Sequence, residues 1–140
     1  MAAKAHAEWQ GGLKTGSGSF VAGDAINGAF SFKTRFEDEP GANPEQLLAA
    51  AHAACYSMAI SAVLEAAGTP VDSINTDASV ALRFIDGAPT VTAVALSVSG
   101  KVPGLEADGF QKAAEEAKAN CVISRALSDS IEITLEATLV

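Results

Sequence analysis

The sequence predicts an α+β fold in which mostly antiparallel sheet surrounds a long buried central helix and a second helix. Three observations carry that prediction. Strand-like and helix-like stretches follow one another in the order strands, helix, hairpin, helix, strand. A long run of small and apolar residues opens at a well-signalled helix start near Pro44, and the two longest alternating stretches flank a two-residue Asp86-Gly87 turn. With 140 residues the chain fits a single domain, residues 1–140, able to bury a substantial core without metals or disulfide staples.

The first 35 residues hold three short segments of strand character, KAHAEWQ, GSFVA and GAFSFK, separated by Gly-rich turns, and read as a meander of two or three strands. Arg35 follows in a polar connector, TRFEDEPGA. The helix comes next: Asn43 is a cap, Pro44 suits the first helical position, and Gln46 is placed to close a capping box onto Asn43. It should run from about Pro44 to Ala67, with Gly68 as a left-handed cap and Pro70 preventing continuation. Between Leu47 and Ala67 only His52, Ser57, Ser61 and Glu65 are markedly polar, so no broad solvated face exists and most of the helix must be buried. SINTDASVALRFID and PTVTAVALSVSGK form the hairpin. LEADGFQKAAEEAKA is an amphipathic helix ending near Asn120, Cys121 follows at once, and VISRALS adds one or two helical turns. IEITLEATLV alternates strictly and closes the chain as a strand.

Composition narrows the function. Seventeen acidic residues against nine basic ones give a net charge of −8, and the basic residues form no cluster able to track phosphates, so nucleic acid is not expected as a partner. The apolar residues are scattered, no run approaches the roughly 18 to 20 residues that span a bilayer, and no membrane role is expected. The N-terminal stretch MAAKAHAEWQGGLK lacks an apolar segment of the signal-peptide kind, which points to the cytoplasm. Two cysteines, Cys55 and Cys121, lie far apart without zinc-site spacing, so no metal and no cofactor is expected. In a reducing compartment such a pair is either two inert core residues or a redox couple.

Taken alone, Cys55 reads first as a small core residue, because free cysteine is among the most buried types. His52, three positions earlier, offers a Cys–His pair of the kind that runs acyl transfer, although a satisfied core histidine fits the same spacing and no third residue stands out to orient the ring. Cys121 falls between two helices, where the N–H groups of residues 122 to 124 face its sulfur, or it is a buried cap. Arg35 and Glu45, by themselves, fit a solvated and capping-rich loop.

TRFEDEPGANPEQLLAAAHAACYSMAISAVLEAAG resembles the central segment of the OsmC/Ohr family of thiol-dependent peroxidases, and AEWQGGLKTGSG, VPGLEADGF, KANCVISRAL and IEITLEATLV resemble its other segments in order. The likeness covers essentially the whole chain. It is to the OsmC branch, since Arg35 stands just before the NPEQL helix start and not in the N-terminal strands. The resemblance implies a peroxidatic Cys55, a resolving Cys121, an Arg35–Glu45 pair, and an intertwined homodimer with two active sites at the subunit interface. One departure is visible: the family usually has proline directly after the second cysteine, where this chain has Val122.

On that reading Cys55 reduces organic hydroperoxides, and hydrogen peroxide less efficiently, passing through a sulfenic acid to a Cys55–Cys121 disulfide that an external dithiol reopens. Only the thiolate attacks usefully, and burial disfavours the thiolate, so a cation is expected; Arg35 supplies it and Glu45 holds the guanidinium by a two-point hydrogen bond. Glu45 and Cys55 are ten residues apart on one helix, about 15 Å along its axis. The glutamate is therefore expected to serve the Cys55 of the other subunit. The rival readings are a Cys55/His52 acyl-transfer enzyme, which needs no Cys121, and a non-catalytic small-molecule-binding dimer.

Overall fold

The structure, a computed structural model, describes every residue from Met1 to Val140. The chain falls into two compact units, residues 1–47 and 48–140.

In the first unit, β1 (Ala5–Gln10), β2 (Ser17–Ala22) and β3 (Ile26–Ser31) form an antiparallel meander in the order β1-β2-β3. Trp9, Phe20 and Phe30 come together on it, with ring centroids 5.5 and 6.1 Å apart across the two pairs that share Phe30. The third strand ends two residues before its sequence-predicted limit. Phe32 and Lys33 instead open a short helix, α1 (Phe32–Phe36), so Arg35 lies on a helix and not in an irregular connector. The cause is a reciprocal cap: the Thr34 N–H donates to Ser31 Oγ at 3.2 Å and the Ser31 N–H donates to Thr34 Oγ1 at 2.9 Å. Threonine stands there in the place where the sequence pattern for a capping box asks for Glu or Gln, which hides the signal.

Helix α2 (Pro44–Ala66) begins as expected, with the Gln46 N–H donating to Asn43 Oδ1 at 2.8 Å and the Asn43 N–H to Gln46 Oε1 at 3.1 Å. Its other end is a Schellman turn. Gly68 takes φ +79°, its N–H bonds the Glu65 carbonyl, and the Thr69 N–H bonds that of Leu64.

The second unit holds most of α2, the hairpin β4 (Ser73–Ile85) and β5 (Ala88–Lys101), then α3 (Ala107–Asn120), α4 (Val122–Leu127) and β6 (Glu132–Leu139). Asp86 and Gly87 both have positive φ, 50° and 81°, the type I′ geometry that matches strand twist. β6 returns after α3 and α4 to lie parallel to β5, so the order is β4-β5-β6 and this one pairing departs from the antiparallel rule. One face of β5, carrying Val94, Leu96 and Val98, packs with Tyr56, Ile60 and Leu64 of α2 and Phe110, Ala114 and Ala117 of α3. Each such large apolar side chain contributes roughly 1.5–3 kcal/mol on burial.

Burial of α2 is narrower than its composition suggests. Within one chain only His52, Tyr56, Ile60 and Leu64 are buried, a single stripe at every fourth residue, while Ala51, Ala54, Met58 and Ala62 on another face are exposed. The expectation that no segment approaches a membrane span is also corrected. α2 is long and apolar enough to cross a bilayer by length and composition, because alanines count as apolar and only Glu45 and Glu65 carry charge. A core helix passes the same test, and the buried stripe against β5 and α3 is of that kind.

Candidate active site

Two of the sequence-predicted site residues meet in each unit. In the first, the α1 cap and a hydrogen bond from Asn43 Nδ2 to the Thr34 carbonyl, 3.2 Å, fix α1 against the start of α2. That places Arg35 beside Glu45: Nη2 donates to Oε1 at 2.7 Å, and Nε donates to Oε1 at 3.1 Å and Oε2 at 3.2 Å. The guanidinium also stacks 5.1 Å from the Phe36 ring centroid. Two neighbouring donors on one carboxylate fix the plane of the guanidinium as well as its position.

In the second unit, Cys55 on α2 and Cys121 at the α3–α4 junction stand with their sulfurs 3.3 Å apart, as free thiols. Cys121 is buried and Cys55 half-buried. Its position follows from the chain's path. α3 ends with the Cys121 N–H on the Ala117 carbonyl, the backbone leaves the helix at Cys121 with φ −57° and ψ 126°, and α4 starts at the next residue.

That turn aims backbone N–H groups at a sulfur, but not at the expected one. The Ile123 and Val122 N–H groups act on Cys55, lowering its proton affinity, and the Cys121 side chain makes no cap bond. Burial pushes the Cys55 thiol up, while the Ile123 N–H, the Cys121 thiol and the Val122 N–H pull it down, and the net result lies below an ordinary thiol. Within one chain, backbone donors therefore already offset the penalty that burial places on the Cys55 thiolate.

His52 does not pair with Cys55. Its Nε2 lies 2.7 Å from Ser124 Oγ, its Nδ1 has no hydrogen-bond partner, and burial lowers its affinity for a proton. Ser124 is the partner that sequence reading did not find, since it lies on α4, 72 residues away. The Tyr56 hydroxyl donates to the Ala114 carbonyl at 2.9 Å, and its burial, with Glu115 and Cys121 nearby, pushes the phenol far up and keeps it neutral. Ser57 bonds the Ala53 carbonyl and Thr76, a packing role.

Against the two thiols lies a cavity of about 500 Å³. Met58, Ala59, Ala62, Val63 and Ala66 make its wall apolar, and Glu116 and Asn120 supply its polar groups. No group of three His, Cys, Asp or Glu side chains is placed to hold a metal.

The family model described as OsmC-like protein matches residues 36–136. Peroxiredoxin OsmC of Escherichia coli is 43% identical over 135 residues, covering 95% of this chain and 93% of that protein. The chain belongs to the OsmC/Ohr family. It is closely related to the OsmC-branch peroxiredoxins. Among solved structures, the organic hydroperoxide resistance protein OhrB of Bacillus subtilis superposes with a TM-score of 0.76 at 25% identity, over 96% of this chain and 97% of that one. An OsmC protein from Legionella pneumophila has the same fold, with a TM-score of 0.78 at 22% identity over 98% and 97% of the two chains. Within this OsmC-type chain, the donors at Cys55 were hidden from sequence reading because a backbone N–H leaves no residue-type signature.

Proposed function

We infer that the protein is a thiol peroxidase that reduces organic hydroperoxides, and hydrogen peroxide less efficiently. The observation that carries this reading is the 3.3 Å thiol pair beside an apolar cavity, with the Cys55 thiol held below an ordinary one. Family membership supports it, as does the kinship with a peroxiredoxin. The Cys55 thiolate attacks the outer oxygen of ROOH, the O–O bond breaks, and RO⁻ leaves and takes a proton as the alcohol. Cys55 becomes a sulfenic acid. The Cys121 sulfur displaces that oxygen as water and forms the disulfide, which closes the sulfurs from 3.3 Å to the usual 2.05 Å or so. An external dithiol returns two electrons and two protons by exchange. The cavity accepts an organic tail, a contact that hydrogen peroxide lacks.

Residues 1–140 act as one domain of a homodimer in the cytoplasm, without nucleic acid, membrane, metal or cofactor as partner. The exposed stripe Ala51, Ala54, Met58 and Ala62 on an otherwise core-type helix supports a partner copy of the chain, as does the fold shared with OhrB. Arg35, held by Glu45, is the cation that binds the peroxide and steadies the thiolate at the partner's Cys55. The Cys–His acyl-transfer alternative loses its base, because one His52 nitrogen bonds Ser124 and the other has no partner.

Peroxide consumption with a dithiol, before and after alkylation of the thiols, tests the reading. Loss of consumption on alkylation is expected, and unchanged consumption contradicts it. The shared site gives a second test, with mixed dimers carrying Glu45→Ala on one subunit and Cys55→Ser on the other. Their one remaining Cys55 should work at the wild-type rate, because it faces an intact Glu45. A rate per Cys55 equal to that of a clearly slowed Glu45→Ala homodimer contradicts the arrangement.

A further inference from the structure

His52 and Ser124 are both buried, at 0% and 3% exposure, and the peroxide chemistry uses neither. A buried imidazole with an unpartnered nitrogen is costly to keep, since polar groups removed from water need partners. Its one bond joins α2, a single turn before Cys55, to α4 at the third helical residue. The two preceding residues of α4 are Val122 and Ile123; they follow Cys121, whose sulfur is 3.3 Å from that of Cys55, Val122 lines the same cavity as Cys55, and the N–H groups of both lower its proton affinity. The same two elements are thus fastened by one buried polar bond and meet again, a turn further along α2, at the reacting atom.

We propose that His52 and Ser124 are positioning residues for the peroxidatic cysteine: their buried bond docks α4 on α2 and so holds the Val122 and Ile123 N–H groups against the Cys55 sulfur. The proton belongs on His52 Nε2, with Ser124 Oγ accepting, because this tautomer leaves an acceptor and not a donor unpaired at Nδ1. Burial disfavours the charged ring, so the tether acts by position and not by adding a charge beside the thiolate. Val122 gives the arrangement a donor that proline at that position would lack. Within this unit the titratable groups near Cys55 are Cys121 and, across the cavity, Glu116, and neither is altered by changes at 52, 122 or 124.

The proposal rests on Cys55 being the nucleophile, and it is tested by the rate of Cys55 alkylation against pH in a Cys121→Ser background. This readout involves no peroxide, so its failure is distinguishable from failure of the peroxidase reading. Val122→Pro removes one donor while suiting the first helical position, because Cys121 already has backbone angles that a following proline allows and Val122 is exposed. Ser124→Ala and His52→Ala cut the tether. All three should raise the alkylation midpoint, by about one pH unit or about tenfold in rate at neutral pH for the tether variants, with rates converging on the parent's at high pH. His52→Gln, whose amide N–H replaces Nε2–H, should restore the parent profile. Should His52→Ala not fold, Ser124→Ala, which removes a single oxygen, decides alone. An unchanged midpoint in folded Ser124→Ala, or in Val122→Pro, overturns the proposal.

Discussion

Cys55→Ser abolishes peroxide consumption, with turnover falling on the order of 10³-fold or more, the scale seen when a nucleophile is removed. The substitution keeps the size of the side chain and its place beside the cavity. It changes the chemistry in two ways: a serine hydroxyl is not ionised near neutral pH, and oxygen is a far poorer nucleophile than sulfur toward a peroxide bond. The Ile123 and Val122 N–H groups that lower the thiol's proton affinity have no anion to hold in the variant. The expected pH dependence has a definite sign. Alkylation and peroxide reduction in the wild type rise with pH through a midpoint below that of a free thiol, because the folded environment favours the thiolate net of burial. Initial rates with an organic hydroperoxide and a dithiol, measured beside His52→Ala, check this. The histidine variant should lose far less, about tenfold near neutral pH, since its imidazole has no bond to the sulfur and acts only through Ser124.

Cys121→Ser stops catalysis for a different reason, after chemistry and not before it. Its Cys55 still attacks, so one equivalent of peroxide per active Cys55 is consumed in a burst. The sulfenic acid then has no thiol 3.3 Å away with which to condense. Dithiol-supported turnover falls by at least about tenfold, and excess peroxide drives Cys55 on to sulfinic acid, which dithiols do not reverse. Rapid-mixing peroxide assays together with a sulfenic-acid trap check the outcome. Multiple turnovers at the wild-type rate contradict a resolving role for Cys121.

The parts of the fold set by local rules were legible in the sequence. Asn43, Pro44 and Gln46 announce the start of α2, Gly68 its end, and Asp86-Gly87 the hairpin, because each of these residue types acts on its immediate neighbours. α1 was not legible, since Ser31 and Thr34 cap it with a residue pair outside the usual pattern. The parallel pairing of β6 with β5 was not legible either, because strand direction depends on how far the intervening helices carry the chain. In the site, the resemblance supplied four side chains, and the structure pairs Arg35 with Glu45 and Cys55 with Cys121. The Val122 and Ile123 donors and the His52–Ser124 bond required coordinates. Backbone N–H groups belong to every residue type, and 72 positions separate the two ends of that bond.

The most direct test of the central claim is to treat the reduced protein with one equivalent of cumene hydroperoxide, without reductant, and map its peptides under non-reducing conditions. The expected product is one disulfide joining Cys55 to Cys121 within a single chain, a mass lower by two hydrogens, and one equivalent of alcohol released. Intact peroxide with both thiols still free, or loss of the peroxide while Cys55 remains a thiol, would contradict the account.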